Sequence, residues 1–78
     1  MSGLVFEKVG DVNSNFPYLC VCKEGGGGPF MEIAVNSTRE LVFVFYSSAS
    51  DVSLTVEEWR EICVRGERFH PEALENDD

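Results

Sequence analysis

Basic residues are scarce in this chain. Six Lys and Arg stand against fourteen Asp and Glu, for a formal net charge of −8. Such a surface is repelled by a phosphate backbone and attracted to basic proteins, so direct nucleic-acid binding starts at a disadvantage. Long apolar runs are lacking too: no segment approaches the ~20 apolar residues needed to cross a bilayer. Residues 1–8 carry neither the basic stretch nor the apolar core of a secretory leader. Cysteine is sparse and odd in number, at three, which suits a disulfide framework poorly. These absences lead us to expect a cytoplasmic protein without membrane association.

Catalytic signatures are equally thin. His70 is the one histidine, and it precedes a proline in a charged segment with no oxyanion-hole motif or G-x-S-x-G elbow beside it. Cys20, Cys22, Cys63 and His70 together supply four soft ligands. However, two cysteines at i,i+2 in an alternating strand do not make the C-x-x-C knuckle of a zinc site, and buried free cysteine commonly serves as a small apolar residue. The run Gly25-Gly26-Gly27-Gly28 lacks the Gly-Lys-Ser/Thr ending of a phosphate-binding loop. The expectation is a protein that is not an enzyme and uses no metal or other cofactor.

What is present is a foldable core. Hydrophobic residues make up 44% of the 78, enough for one small domain and unlike a disordered chain. A chain this short buries only about 60% of its unfolded surface, so a homodimer would be one way to bury more.

The alternation of residue types predicts an α+β fold, with four to five antiparallel strands followed by one C-terminal helix. Residues 4–9 form a first strand with Leu4 and Phe6 on one face. Residues 16–23 form a second, with Phe16, Tyr18, Cys20 and Cys22 on one side and Leu19 and Val21 on the other. The glycine run makes a flexible hairpin tip. Residues 30–35 form a third strand, with Met31, Ile33 and Val35 towards the core and Glu32 opposite. Residues 41–46 are apolar on both faces, which predicts a central strand covered on both sides. Polar turns are expected at residues 11–15, 36–39 and 47–51, with a short extended piece at 52–54.

Next comes a strong helix start. Thr55 and Glu58 make a capping box, flanked by Leu54 and Trp59 in staple positions. Val56, Trp59, Ile62 and Cys63 recur on one helical face, and Glu61 and Arg65 stand at i,i+4. Gly66 reads as the residue that ends the helix, with Pro71 beyond it. The organisation expected is one domain over residues 1–71 and an acidic flexible tail over 72–78.

The helix carries most of the exposed acid. Glu57, Glu58, Glu61 and Glu67 are the candidate contacts for a basic protein partner, with Tyr46 and the loop glycines Gly26 and Gly27 as further candidates. The alternative function is a single-stranded nucleic-acid binder that stacks bases on Phe16, Tyr18, Phe43, Phe45 and Tyr46. The strands offer only Lys8, Lys23 and Arg39 to frame such a platform.

Two resemblances accompany these motifs. Val52-Ser53-Leu54-Thr55-Val56-Glu57-Glu58-Trp59 is similar to the strand-to-helix junction of the transcriptional coactivators that bind single-stranded DNA on a curved sheet and dimerise through their helix. The basic sheet of that family has no counterpart here. The glycine run, Met31-Glu32-Ile33-Ala34, Leu54-Thr55-Val56-Glu57-Glu58-Trp59-Arg60 and Gly66-Glu67-Arg68-Phe69 together resemble the small BldB-like proteins of actinobacteria. In that family the residues here at Pro29-Phe30 are usually Asn-Cys. The BldB-like resemblance implies a small partner of helix-turn-helix regulators, acting by protein contact. Composition and resemblance thus converge on an acidic module that modulates or inhibits a protein partner: a regulator partner, an immunity protein or a phage-type inhibitor.

Overall fold

The computed structural model describes residues 3–10, 16–47 and 51–75. Four strands, β1 (Leu4–Val9), β2 (Tyr18–Lys23), β3 (Pro29–Val35) and β4 (Leu41–Phe45), precede one helix, α1 (Val56–Glu75). The strands pair in chain order, β1-β2-β3-β4, and every pair is antiparallel. This is the α+β architecture that the sequence predicts. The expected turn at 11–15, residues 48–50 of the following loop and the tail residues 76–78 lie outside the described residues.

Alternation in the strands sorts the two faces of the sheet. Phe6 pairs with Val21, Val21 with Met31, and Ile33 with Phe43, so these side chains share one face, and α1 covers it. Val21, Met31, Ile33 and Ile62 are fully buried there. Phe16 departs from the alternation. It lies ahead of β2 and is buried in the core with Leu19 instead of facing out with Tyr18, Cys20 and Cys22. Phe30 is also in the core, next to a bulge at Val21/Cys22 that puts Pro29 opposite Cys22. The extra residue of a bulge breaks the strict two-residue period, which lets adjacent Phe30 and Met31 both turn inward.

Several expectations are corrected here. The apolar strand β4 is an edge strand, not a central one: α1 covers part of one face, and Phe45 is 60% exposed. Residues 52–54 are not a strand but an irregular approach to the helix. The helix does not stop at Gly66; it runs through Pro71 to Glu75, so the segment from residue 72 to 75 belongs to the folded unit and not to a flexible tail. The buried helical stripe is Glu58, Ile62, Gly66, Phe69 and Ala73, spaced i,i+4 and i,i+3 as one packed face requires. Val56 and Trp59, expected on that face, lie beside it and are exposed. Pro71 is exposed in the last turns of α1, where a lost helical hydrogen bond can be replaced by water.

Gly66 marks a close approach of helix to sheet. A Cβ there would lie 3.3 Å from Leu41 Cδ2, 3.3 Å from Phe43 Cε1 and 3.4 Å from Ile33 Cγ2. The missing side chain is what lets α1 settle against β3 and β4.

Candidate functional site

The helix start is built as a reciprocal cap. The Glu58 backbone N–H donates to Thr55 Oγ1 at 3.0 Å, and the Thr55 N–H donates to Glu58 Oε1 at 2.9 Å. Lys23, at the end of β2, reaches the same carboxylate, donating from Nζ to Oε2 at 3.0 Å and to the Ser53 carbonyl at 3.2 Å. Glu58 is therefore buried against the sheet and cannot be a partner contact as the sequence reading proposed. Its carboxylate accepts from the Thr55 N–H within one turn and from a lysine 35 residues away.

The Thr55 N–H, followed by the Lys23 ammonium, pulls the Glu58 carboxyl down to about 2 from its ordinary 4.5. Because the folded value lies below the unfolded one, this group stabilises the fold above pH 4.5. That contribution disappears as the pH falls from 4.5 towards 2. The melting-temperature gap between wild type and Glu58→Gln is expected to be widest near pH 6 and to close through that acid window. Parallel melting curves at all pH values would show that the carboxylate adds nothing in the folded state.

The remaining acids do not form one cluster. Glu57 is exposed and Glu61 half-buried one turn further on, while Glu67 lies ten residues beyond Glu57, about 15 Å along the helix axis. Tyr46 is half-buried on the opposite side of the sheet, where its hydroxyl donates to Glu32 Oε1 at 2.8 Å. Burial and that carboxylate raise the Tyr46 phenol. Gly26 and Gly27 sit exposed at the β2–β3 hairpin tip, bounded by Gly25 and Gly28, whose φ values of 75° and 114° favour glycine. This tip, the end of β4 and the start of α1 share one end of the sheet. Lys23 ties the hairpin to Glu58 there, and the Tyr46 N–H donates to the Phe30 carbonyl.

The other candidate constellations are dispersed. Cys20 and Cys22 lie on the sheet face away from α1 and Cys63 lies on α1; among the described residues no group of three metal-ligating side chains converges. Burial pushes the Cys20 thiol up, away from the thiolate that a nucleophile uses. His70 Nε2 is 2.9 Å from the Arg39 carbonyl; a carbonyl only accepts, so the ring donates its proton there. That contact holds the β3–β4 turn, where Arg39 adopts φ 67°, against the helix. The aromatics also divide: Phe16 is buried, Phe43 and Phe45 pack on Trp59 from the helix side, and Tyr46 reaches Glu32 on the other face. A single stacking platform is not assembled.

What the sequence reading missed is a ledge along β4. Trp59 stands 5.7 Å from Phe43 and stacks on Phe45 at 6.4 Å between ring centroids. Phe45, Val56 and Trp59 are 60%, 68% and 39% exposed, an aromatic and aliphatic patch left open to solvent. Beside it runs the free edge of the sheet. The Tyr46-to-Phe30 and Asn36-to-Glu40 backbone bonds set the antiparallel pattern. Even-numbered β4 residues bond to β3, and the N–H and C=O groups of Phe43 and Phe45 point outwards. Among the described residues no strand pairs with them. The signal was in the sequence, as a strand apolar on both faces, but it indicated incomplete cover and not a central position.

No protein-family model matches the chain, and no curated protein or solved structure is significantly similar to it.

Proposed function

We propose that this chain is a small acidic protein-binding module that modulates or inhibits a basic, nucleic-acid-handling protein partner through contact along β4. The observation that carries the reading is the unprotected edge. β4 reads Leu-Val-Phe-Val-Phe, without the lysine, proline or bulge that usually guards a sheet edge. By contrast, the opposite edge strand, β1, contains Glu7 and Lys8. An extended segment of a partner can add to such an edge by main-chain hydrogen bonds, while Phe45, Val56 and Trp59 supply the aromatic and aliphatic anchors of a binding hot spot. The net charge of −8 speeds encounter with a basic surface, and exposed Glu57, with Glu61 and Glu67, contributes to that field instead of forming a docking patch of its own. The BldB-like resemblance implies the same class of action.

The test is capture from native lysate on immobilised wild-type chain and on Phe45→Pro, each with and without nuclease. Proline at 45 removes an outward N–H without breaking a bond to β3, so the fold should survive. One stoichiometric protein should remain on wild type after nuclease and be lost from Phe45→Pro. Retention on Phe45→Pro would overturn β4 as the contact. Recovery of nuclease-sensitive nucleic acid in place of a protein would install the single-strand-binding reading.

A further inference from the structure

The molecule is acidic overall, yet half of its six cations gather at one place. A cavity of about 380 Å³ opens between β1 and α1, on the flank of the helix opposite the β4 ledge. Lys8 enters from the strand, and Arg65 and Arg68 enter from adjacent turns of the helix; Phe6 and Phe69 form apolar wall, and Glu72 is the lining acid. The Arg65 guanidinium sits over the Phe6 ring at 4.5 Å from its centroid, a cation–π contact that restrains it beside the cavity. Lys8 Nζ is 3.8 Å from Glu72 Oε1, with both side chains largely exposed, a contact too long and too wet to hold the lysine strongly. Glu61, four residues before Arg65, is the next acid on this flank and does not line the cavity.

We propose that this cavity binds the phosphate monoester group of a small molecule. Among the described lining residues three cations face one acid, a positive local balance that suits the charge of about −1.5 to −2 that a phosphate monoester carries at neutral pH. Two guanidinium groups one helical turn apart offer paired donors to phosphate oxygens, and Lys8 adds a point charge from across the cavity. The volume is that of a small-molecule site, with apolar wall for the body of the ligand. A nucleic-acid strand meets the full repulsion of the surrounding acidic surface, whereas a compact dianion meets only the local field.

The experiment is an NMR titration of the whole chain at constant ionic strength, reading backbone amides and arginine Nε–Hε signals, with phenyl phosphate and inorganic phosphate as probes. Saturable shifts should centre on Lys8, Arg65 and Arg68, with phenyl phosphate binding more tightly. Arg68→Gln should weaken phenyl phosphate about tenfold, the usual scale for losing a charge-assisted hydrogen bond. Glu72→Gln should tighten it by about threefold, since it removes the competing acid; a merely misfolded variant cannot produce that gain. Absence of saturation up to about 10 mM, or affinities unchanged in both variants, overturns the proposal.

Discussion

Gly66→Val should lower the melting temperature by about 15 °C. An added Cβ at this position already meets Leu41, Phe43 and Ile33 at 3.3–3.4 Å, so those side chains must yield by a few tenths of an ångström. Valine adds two further methyl groups to an interface with Ile33 and Ile62 fully buried in it. The helix must then lift from β3 and β4 or its neighbours must leave their rotamers, at a cost of about 3 kcal/mol. Helix propensity returns only a few tenths of a kcal/mol, because a β-branched residue is itself a modest helix former. In a domain of this size each kcal/mol moves the midpoint by roughly 4–8 °C. Thermal denaturation followed by far-ultraviolet circular dichroism reads the effect directly. A midpoint within about 2 °C of wild type would mean that α1 does not approach the sheet as closely as described.

Trp59→Ala should separate binding from folding in the opposite sense. The indole lies beside the buried stripe and not within it, 39% exposed, with ring contacts to Phe43 and Phe45. Truncation removes those contacts and some apolar cover, at about 1–2 kcal/mol of stability. If the β4 ledge is the docking surface, the same change removes its central aromatic anchor. Hot-spot truncations cost at least about 2 kcal/mol of binding, a loss of roughly 30-fold or more in affinity. With the captured partner purified, equilibrium titration against wild type and Trp59→Ala measures it. An affinity within about twofold of wild type, with the variant folded, would remove the ledge from the interface.

Legibility from sequence followed the range of each interaction. The strands could be read because their two-residue period is local, and the Thr55–Glu58 cap because both partners lie within one turn. The burial of Glu58 could not, since the lysine that draws it inwards is 35 residues earlier; one acid among several on a charged helix looks like any other. Gly66 is ambiguous in the sequence for a similar reason. A glycine near the end of an amphipathic segment can terminate a helix or admit a neighbouring surface, and only the position of Leu41 and Phe43 decides between them. In strand β4, apolar residues on both faces point to cover on both faces and so to the centre of the sheet. Its place as the last strand of a meander puts it at the edge, and its uncovered side chains became the candidate site. The cationic cavity joins Lys8 to Arg65 and Arg68 across more than fifty residues and has no signature in any short stretch.

The chain-order pairing of the strands also bears on how the molecule forms. Each β pairing closes a short loop between neighbouring segments, so the sheet can grow hairpin by hairpin with little loop entropy to overcome. The helix follows the sheet in the chain and reaches back across it, as from Glu58 to Lys23. Until it docks, Val21, Met31 and Ile33 lie bare on one face of a sheet whose β4 edge is already unguarded. The nascent protein is then at its most adhesive towards other copies. If the β4 edge is a docking surface, its early capture would shelter the intermediate as well as the finished fold.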